Sequence, residues 1–250
     1  MKTLVELSPE LHQQLYVVPH SGAKNAAKQN LVNLRVTEVA KAACSMAIFF
    51  VRDNQTGQQV LTGFTSFEQG NNLFVTDSQW QGSYPPTSLQ TFPFYLMQSP
   101  DNPQQYTIGI DADDSALSAE SGQAIFEQDG SASLYLSNIK NLIEADMHND
   151  MLTQRFSQKI SELGLMKYIT IVVNHQDGLP QNLTGLITIN EEKLQQLDSE
   201  TLAELNKLGY LSPLYAMLMS LYQLNSLIQL HNKTLAGNKI SNIKLEVSKS

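Results

Sequence analysis

Apolar residues in this chain come as short runs in its first half and at helical spacing in its second. Ile48, Phe49, Phe50 and Val51 form a continuous apolar run that predicts a buried strand, with a turn at residues 53–57 and a hairpin partner at residues 60–64. Residues 4–7 and 16–18 predict further short strands, as does the aromatic run 92–96, and residues 31–34 alternate weakly. Leu73, Phe74 and Val75 make another apolar run, and Tyr106, Ile108 and Ile110 alternate as a half-buried strand does. Residues 21–29 are polar and predict a loop, and Thr37 is the expected cap of a short helix reaching Ala43. Tyr84, Pro85 and Pro86 predict an extended, exposed segment.

From about residue 134 a helical period takes over through Leu136, Ile139, Ile143, Met147, Met151, Phe156 and Ile160, with Gly164 as the stop. Residues 168–173 and 183–189 then predict a hairpin whose turn carries His175 to Pro180. Asn190 and Ser199 are the expected caps of two short helices. The densest apolar stretch, residues 208–230, holds no charged residue in a chain where 16% of residues are charged. Leu211, Leu214, Tyr215, Leu218, Leu221, Tyr222 and Ile228 recur at helical spacing, and Met217, Met219, Leu224, Leu227 and Leu230 fill much of the opposite side. Pro213 suits a first helical turn and Ser212 its N-cap. A helix apolar nearly all round must be surrounded by protein or lipid. Ser220, Gln223, Asn225 and Gln229 would be costly in hydrocarbon, so a buried core helix is expected, with a partner-binding helix as the alternative and no membrane span.

The pattern predicts an α+β fold in a single domain. Short, mostly antiparallel strands occupy the first half, and helices in the second half surround a buried C-terminal helix. The domain is expected over residues 1–232, followed by a polar C-terminal tail, residues 233–250, in which Ile243 and Leu245 allow a late strand. The stretch from Asp101 to Gly130 is the one plausible internal seam.

Charge narrows the partners. With a net charge of −8 over 250 residues and a pI of about 5.1, the acidic chain is not expected to bind nucleic acid or an anionic membrane surface. The single cysteine, Cys44, forbids an internal disulfide and a Cys-rich zinc site, and its apolar surroundings predict an inert buried thiol. The N-terminal segment has no apolar core of a signal peptide, so a cytoplasmic location is expected.

No catalytic constellation is legible. Asp111, Asp113, Asp114 and Glu120 are the densest carboxylates, but a calcium loop counted from Asp111 would need Gly and Glu where Ala116 and Gly122 stand. Glu144 and His148 share a helix face, yet a di-iron site would need Glu-x-x-His spacing and a second copy. His175 and Asp177 fall in a turn, and His12, His20 and His231 have no companions. There is no phosphate loop, no G-x-S-x-G and no HExxH. No cofactor and no metal are expected. Trp80, Tyr84, Phe92, Phe94 and Tyr95 are the candidate ligand-binding residues, since ligand pockets are mostly apolar; core packing is the competing reading of the same rings.

Several segments together resemble the SapC family of bacterial proteins. They are GFTSFEQGNNLFV (Gly63 to Val75), the Trp80 to Phe94 segment with its FPF, SGQAIFEQDG (Ser121 to Gly130), and the long stretch from Leu183 to Leu221 that runs from a strand through a Glu-rich helix start to Gly-Tyr-Leu and the apolar helix. The chain departs from the family pattern at Thr91, where relatives tend to carry Arg, and at Met46 to Phe50. The resemblance implies an association with surface-layer gene clusters. It also implies neighbours such as flavin-dependent halogenase-like proteins, cupin-like oxygenases and TonB-dependent receptors. It carries no active site over to this chain.

The expected function is therefore a non-catalytic binding or accessory protein. It would take a protein or peptide partner or a small-molecule ligand, and would act with halogenase-like or cupin-like partners or in surface-layer-associated processes. The alternative is an enzyme or enzyme subunit in a peptide or small-molecule tailoring pathway, with His148, Glu144 and Asp111 as the residues to test first.

Overall fold

The computed structural model describes residues 3–53, 56–102, 104–235 and 238–248. Its elements in chain order are β1 (Val5–Glu6), α1 (Pro9–His12), β2 (Tyr16–Val17), α2 (Ser21–Ala26), β3 (Leu31–Asn33), a 3-10 turn (Val36–Glu38) and α3 (Val39–Ala42). There follow β4 (Ala47–Arg52), β5 (Gln59–Phe64), β6 (Val75–Thr76), β7 (Gln79–Trp80), α4 (Thr87–Gln90), β8 (Phe94–Gln98), β9 (Tyr106–Ile110), β10 (Leu117–Ser118) and β11 (Gln123–Ala124). The remainder is α5 (Leu134–Glu162), β12 (Met166–His175), β13 (Gln181–Ile189), α6 (Glu191–Gln195), α7 (Ser199–Lys207), α8 (Leu211–Ser220), α9 (Gln223–Thr234) and β14 (Ile240–Val247). The fold is α+β with antiparallel pairing, and its helices lie mainly in the second half. The chain gathers into two compact units, one of residues 1–26, 77–79 and 87–148, the other of residues 27–76, 80–86 and 149–250. The seam considered at residues 101–130 falls wholly inside the first unit.

In the first unit, two three-stranded sheets, β1-β9-β8 and β10-β2-β11, bury Val17, Phe94, Ile110 and Ile125. The first half of α5 joins them through Leu136, Ile139 and Ile143, which repeat at helical spacing on one face. Tyr135 lies beside Phe94 with ring centroids 6.1 Å apart. Burial pushes its phenol up to about 12, because the charged form would lose its water. The loop expected at residues 21–29 is instead opened by α2. The polarity of the segment misled, since Ser21, Gly22, Ala23 and Ala26 are all buried and small enough to pack closely. A Cβ on Gly22 would stand 1.9 Å from the Leu89 carbonyl oxygen, so α2 can only approach there with glycine.

The second unit is built on a six-stranded antiparallel sheet in the order β14-β12-β13-β4-β5-β3. The early hairpin β4-β5 and the late hairpin β12-β13 meet where Val51 opposes Leu186 and Phe50 opposes Ile187. The continuous apolar run of β4 is explained by burial on both sides. Phe50 points to α5, stacked on Phe156 at 6.1 Å. Phe49 points the other way, into a chain of rings through Phe64 and Phe67 to His231 of α9. The Ser220 hydroxyl of α8 accepts from Ile48 N–H at 2.9 Å and donates to the Met217 carbonyl at 2.7 Å, which ties α8 to the start of β4.

Several local expectations shift. Arg35, not Thr37, precedes the 3-10 turn, and the Glu38 carboxylate accepts from Arg35 N–H at 2.7 Å. Asp198 caps α7 in place of Ser199, accepting from Thr201 N–H at 2.8 Å, whereas Asn190 caps α6 as expected. Cys44 is exposed rather than buried, because it follows the last turn of α3 and its neighbours Ala42 and Met46 take the inward positions. Of the turn expected at residues 53–57, Asn54 and Gln55 lie outside the described residues, and Asp53 Oδ1 accepts from Thr56 N–H at 2.7 Å. Pro85 is exposed, but Pro86 is buried. The late strand allowed by Ile243 and Leu245 forms as β14.

The C-terminal apolar stretch is two helices rather than one, interrupted at Leu221 and Tyr222. Tyr210 precedes the first, so Ser212 lies inside it and does not cap it. One side is buried through Leu214, Met217, Leu224, Leu227 and His231. The other side leaves Tyr215 at 44%, Met219 at 68% and Tyr222 at 77% exposed. Among the described residues, no helix is long and apolar enough to cross a membrane.

Candidate functional site

The second half of α5 carries two stripes. Phe156 and Ile160 are fully buried, and Phe156 stacks on Phe50 of the sheet. Beside them Gln154, Ser157, Gln158 and Ser161 recur at three- and four-residue steps, so they share one face of the helix. This uncharged polar stripe forms one wall of an open cleft of about 660 Å³. The floor comes from the sheet. Arg52 at the end of β4 opposes Gln59 of β5, and Tyr168 of β12 opposes Ile187 of β13.

The wall is held by its own hydrogen bonds. The Ser157 hydroxyl donates to Gln59 Oε1 at 3.1 Å, joining helix to sheet across the cleft. Gln158 Nε2 donates to Glu162 Oε1 at 2.9 Å. Arg52 Nε donates to the Gly57 carbonyl at 3.2 Å, which fixes the guanidinium at the rim. Gln154 Nε2 donates to Asp150 Oδ2 at 2.8 Å, and Asp150 also pairs with Arg35. Amides offer donor and acceptor together, and hydroxyls rotate to suit either role. The lining therefore suits a ligand carrying amide or hydroxyl groups, with Tyr168 to cover an apolar part and Arg52 to meet an acceptor. Among the described residues the lining holds no His, Cys or Lys, and its one carboxylate, Glu162, is the group that accepts from Gln158.

A family model described as SapC matches residues 7–227. This chain belongs to the SapC family. Comparison with curated proteins and with solved structures returns no match. All the lining residues of the cleft in this SapC-family chain fall within the matched region, and β14 lies outside it.

The five aromatic residues expected to bind ligand are divided between the two units. In the second unit Trp80 stacks on Phe74 at 5.5 Å, and its indole N–H donates to the Tyr84 carbonyl at 3.0 Å. The Tyr84 hydroxyl donates to Glu38 Oε1 at 2.9 Å, and Lys41 Nζ lies 5.4 Å from the Tyr84 ring centre. Trp80 and Tyr84 are both half-buried. In the first unit Phe92 and Phe94 are buried and Tyr95 is half-buried, with the Phe92 and Tyr95 rings edge to face at 6.2 Å. Phe92 also lines a small cavity of about 140 Å³ with Ser21, Lys24, Asn25 and Asp114.

The acidic and histidine candidates have local roles. Asp111 and Asp114 accept main-chain N–H groups in the turn after β9, from Asp113 at 3.3 Å and Ala116 at 2.9 Å. Glu144 and His148 are exposed on α5. The buried ring of His231 meets the Asn238 carbonyl through Nε2 at 2.9 Å. The cleft escaped sequence reading because glutamine and serine carry no motif. The signal that was present is the run of uncharged polar residues at helical spacing beside the apolar stripe of α5.

Proposed function

We propose that this SapC-family chain is a non-catalytic binding protein that holds a polar ligand, a short peptide segment or a small molecule, in the cleft between α5 and the sheet. The observation that carries this reading is the chemistry of the lining. Gln58, Gln59, Gln154, Ser157 and Gln158 are strong hydrogen-bonding groups that do not titrate near neutral pH, and the one lining carboxylate, Glu162, is already engaged by Gln158, which favours recognition over proton transfer. The half-buried rings of Trp80 and Tyr84 are proposed as a second, aromatic contact surface of the same protein.

A crystallographic screen of amide- and hydroxyl-bearing fragments tests the reading. Density is expected against Gln59, Gln158 and Tyr168, with affinity lost in Gln59→Ala and Tyr168→Ala. Fragments that collect only elsewhere on the molecule count against the cleft. Trp80 is the single tryptophan and does not line the cleft, so its fluorescence separates the two surfaces. A cleft ligand leaves the emission unchanged, and a ligand on the aromatic stretch quenches it.

A further inference from the structure

β14 ends the six-stranded sheet, and among the described residues no strand pairs with its outer edge. The opposite edge strand, β3, has three residues, whereas β14 has eight. Ser248 N–H donates to the Tyr168 carbonyl at 2.9 Å, in the register that pairs Glu246 with Thr170 and Lys244 with Val172. Antiparallel strands alternate inward and outward main-chain groups. The N–H and C=O of Ile243, Leu245 and Val247 therefore turn to the open side. At Ile240 that edge is already taken: Asn232 of α9 accepts from Ile240 N–H at 2.7 Å and donates to its carbonyl at 2.8 Å. Among the described residues no corresponding side chain covers the three outward positions beyond it.

The same three residues present apolar side chains on the face that α9 covers. Leu245 is 45% and Val247 70% exposed. Ile243 and Leu245 form one wall of a groove of about 570 Å³ whose other wall is Tyr215, Met219 and Tyr222. Natural edge strands are usually short, or blunted by proline or by lone charges. β14 has neither shortness nor proline, and its charges are self-complementary. In an antiparallel pair of two β14 strands centred on Leu245, Ile243 opposes Val247, Lys244 opposes Glu246, and Leu245 opposes its own copy. The outward main-chain groups then meet at Ile243, Leu245 and Val247, the positions where hydrogen-bonded pairs are required in this register.

We propose that two copies of this chain associate by pairing β14 with β14 in that register, joining their six-stranded sheets across a two-fold axis. The axis stands perpendicular to the sheet, so α8 and α9 of both copies lie on the same side. Their Tyr215, Met219 and Tyr222 faces close over the paired strands. The interface is isologous, which the self-complementary order Ile-Lys-Leu-Glu-Val satisfies without a second surface.

Sedimentation of the full chain over a concentration series tests the pairing, together with three variants. Wild type is expected to be a reversible dimer. Lys244→Glu and Glu246→Lys each place like charges opposite one another twice, and each raises the dissociation constant about tenfold. Mixed in equal amounts, the two variants are mutually complementary and form a heterodimer at wild-type strength. Leu245→Pro removes an N–H that the sheet itself does not use, a change an edge strand tolerates. It leaves the thermal unfolding of the monomer intact while abolishing the dimer. Hydrogen exchange adds a local readout: the Ile243, Leu245 and Val247 amides are protected in concentrated protein and lose that protection on dilution. A chain that stays monomeric up to its solubility limit overturns the proposal. So does a dimer indifferent to both charge reversals and to proline at position 245.

Discussion

The Ser220 hydroxyl sits between two buried main-chain groups, and its removal leaves one of them without a partner. Ser220→Ala strands the Ile48 N–H, and the expected loss is about 1–3 kcal/mol, read as a lower midpoint in urea unfolding. Gly22→Ala drives a Cβ into the Leu89 main chain, which cannot rotate away as a side chain could. A comparable loss of about 1–3 kcal/mol is expected there, with the spectral changes confined to α2 and α4. Tyr135 and Asp198 each add a component to the pH profile. Tyr135 has its pKa raised from 10.0 to about 12 by burial, so its contribution is complete below pH 10 and is lost as pH rises towards 12. Alkaline unfolding of Tyr135→Phe lacks this component. Asp198 is held below its ordinary 3.8 by the Thr201 N–H and hydroxyl, so its contribution is present above that value and disappears as pH falls below it. Asp198→Asn keeps the acceptor and removes this one component from the acid limb, while Asp198→Ala also lowers stability at neutral pH.

At the scale of elements, α5 is the helix whose two stripes do different things. Phe156 and Ile160 hold it to the sheet, and Phe156→Ala is expected to cost about 3–5 kcal/mol, measured by denaturant unfolding. The neighbouring Gln and Ser stripe holds little core, so Gln158→Ala is expected to leave stability near wild type while weakening cleft ligands. The sequence made α5 legible from its period and its Gly164 stop, since a long amphipathic pattern constrains itself locally. It also made the β12-β13 hairpin legible, because both strands carry dense β-branched runs around a polar turn. The apolar stretch at residues 208–230 was harder. Its residues are apolar on nearly all sides, so periodicity could not say which side would be buried. Nor did it mark the break at Leu221 and Tyr222, where no proline or glycine stands. α2 failed for the opposite reason: its small residues look polar and loop-like until something packs on them.

For the whole molecule, the consequence of an open β14 edge is a stability that depends on concentration. If two copies pair, the thermal midpoint rises with protein concentration in wild type, because association stabilises the folded state by mass action. It stays fixed in Leu245→Pro. The family assignment was legible from quoted segments of sequence, and the match over residues 7–227 shows it. The α+β class was legible because strand-like and helix-like spacings occupy distinct segments of the chain. Strand identity and the caps at Asn190 and Gly164 were likewise local matters, settled by neighbours within a turn or two. Sheet order was not of that kind. That β4 meets β13, that β14 becomes an edge, and that Gln59 reaches Ser157 are pairings between distant residues. No local pattern records them, because they follow from which apolar faces bury together once the chain has closed. The cleft and the open edge exist only at that level. Each is made from unremarkable residues whose chemistry depends on what the fold sets beside them and what it leaves uncovered.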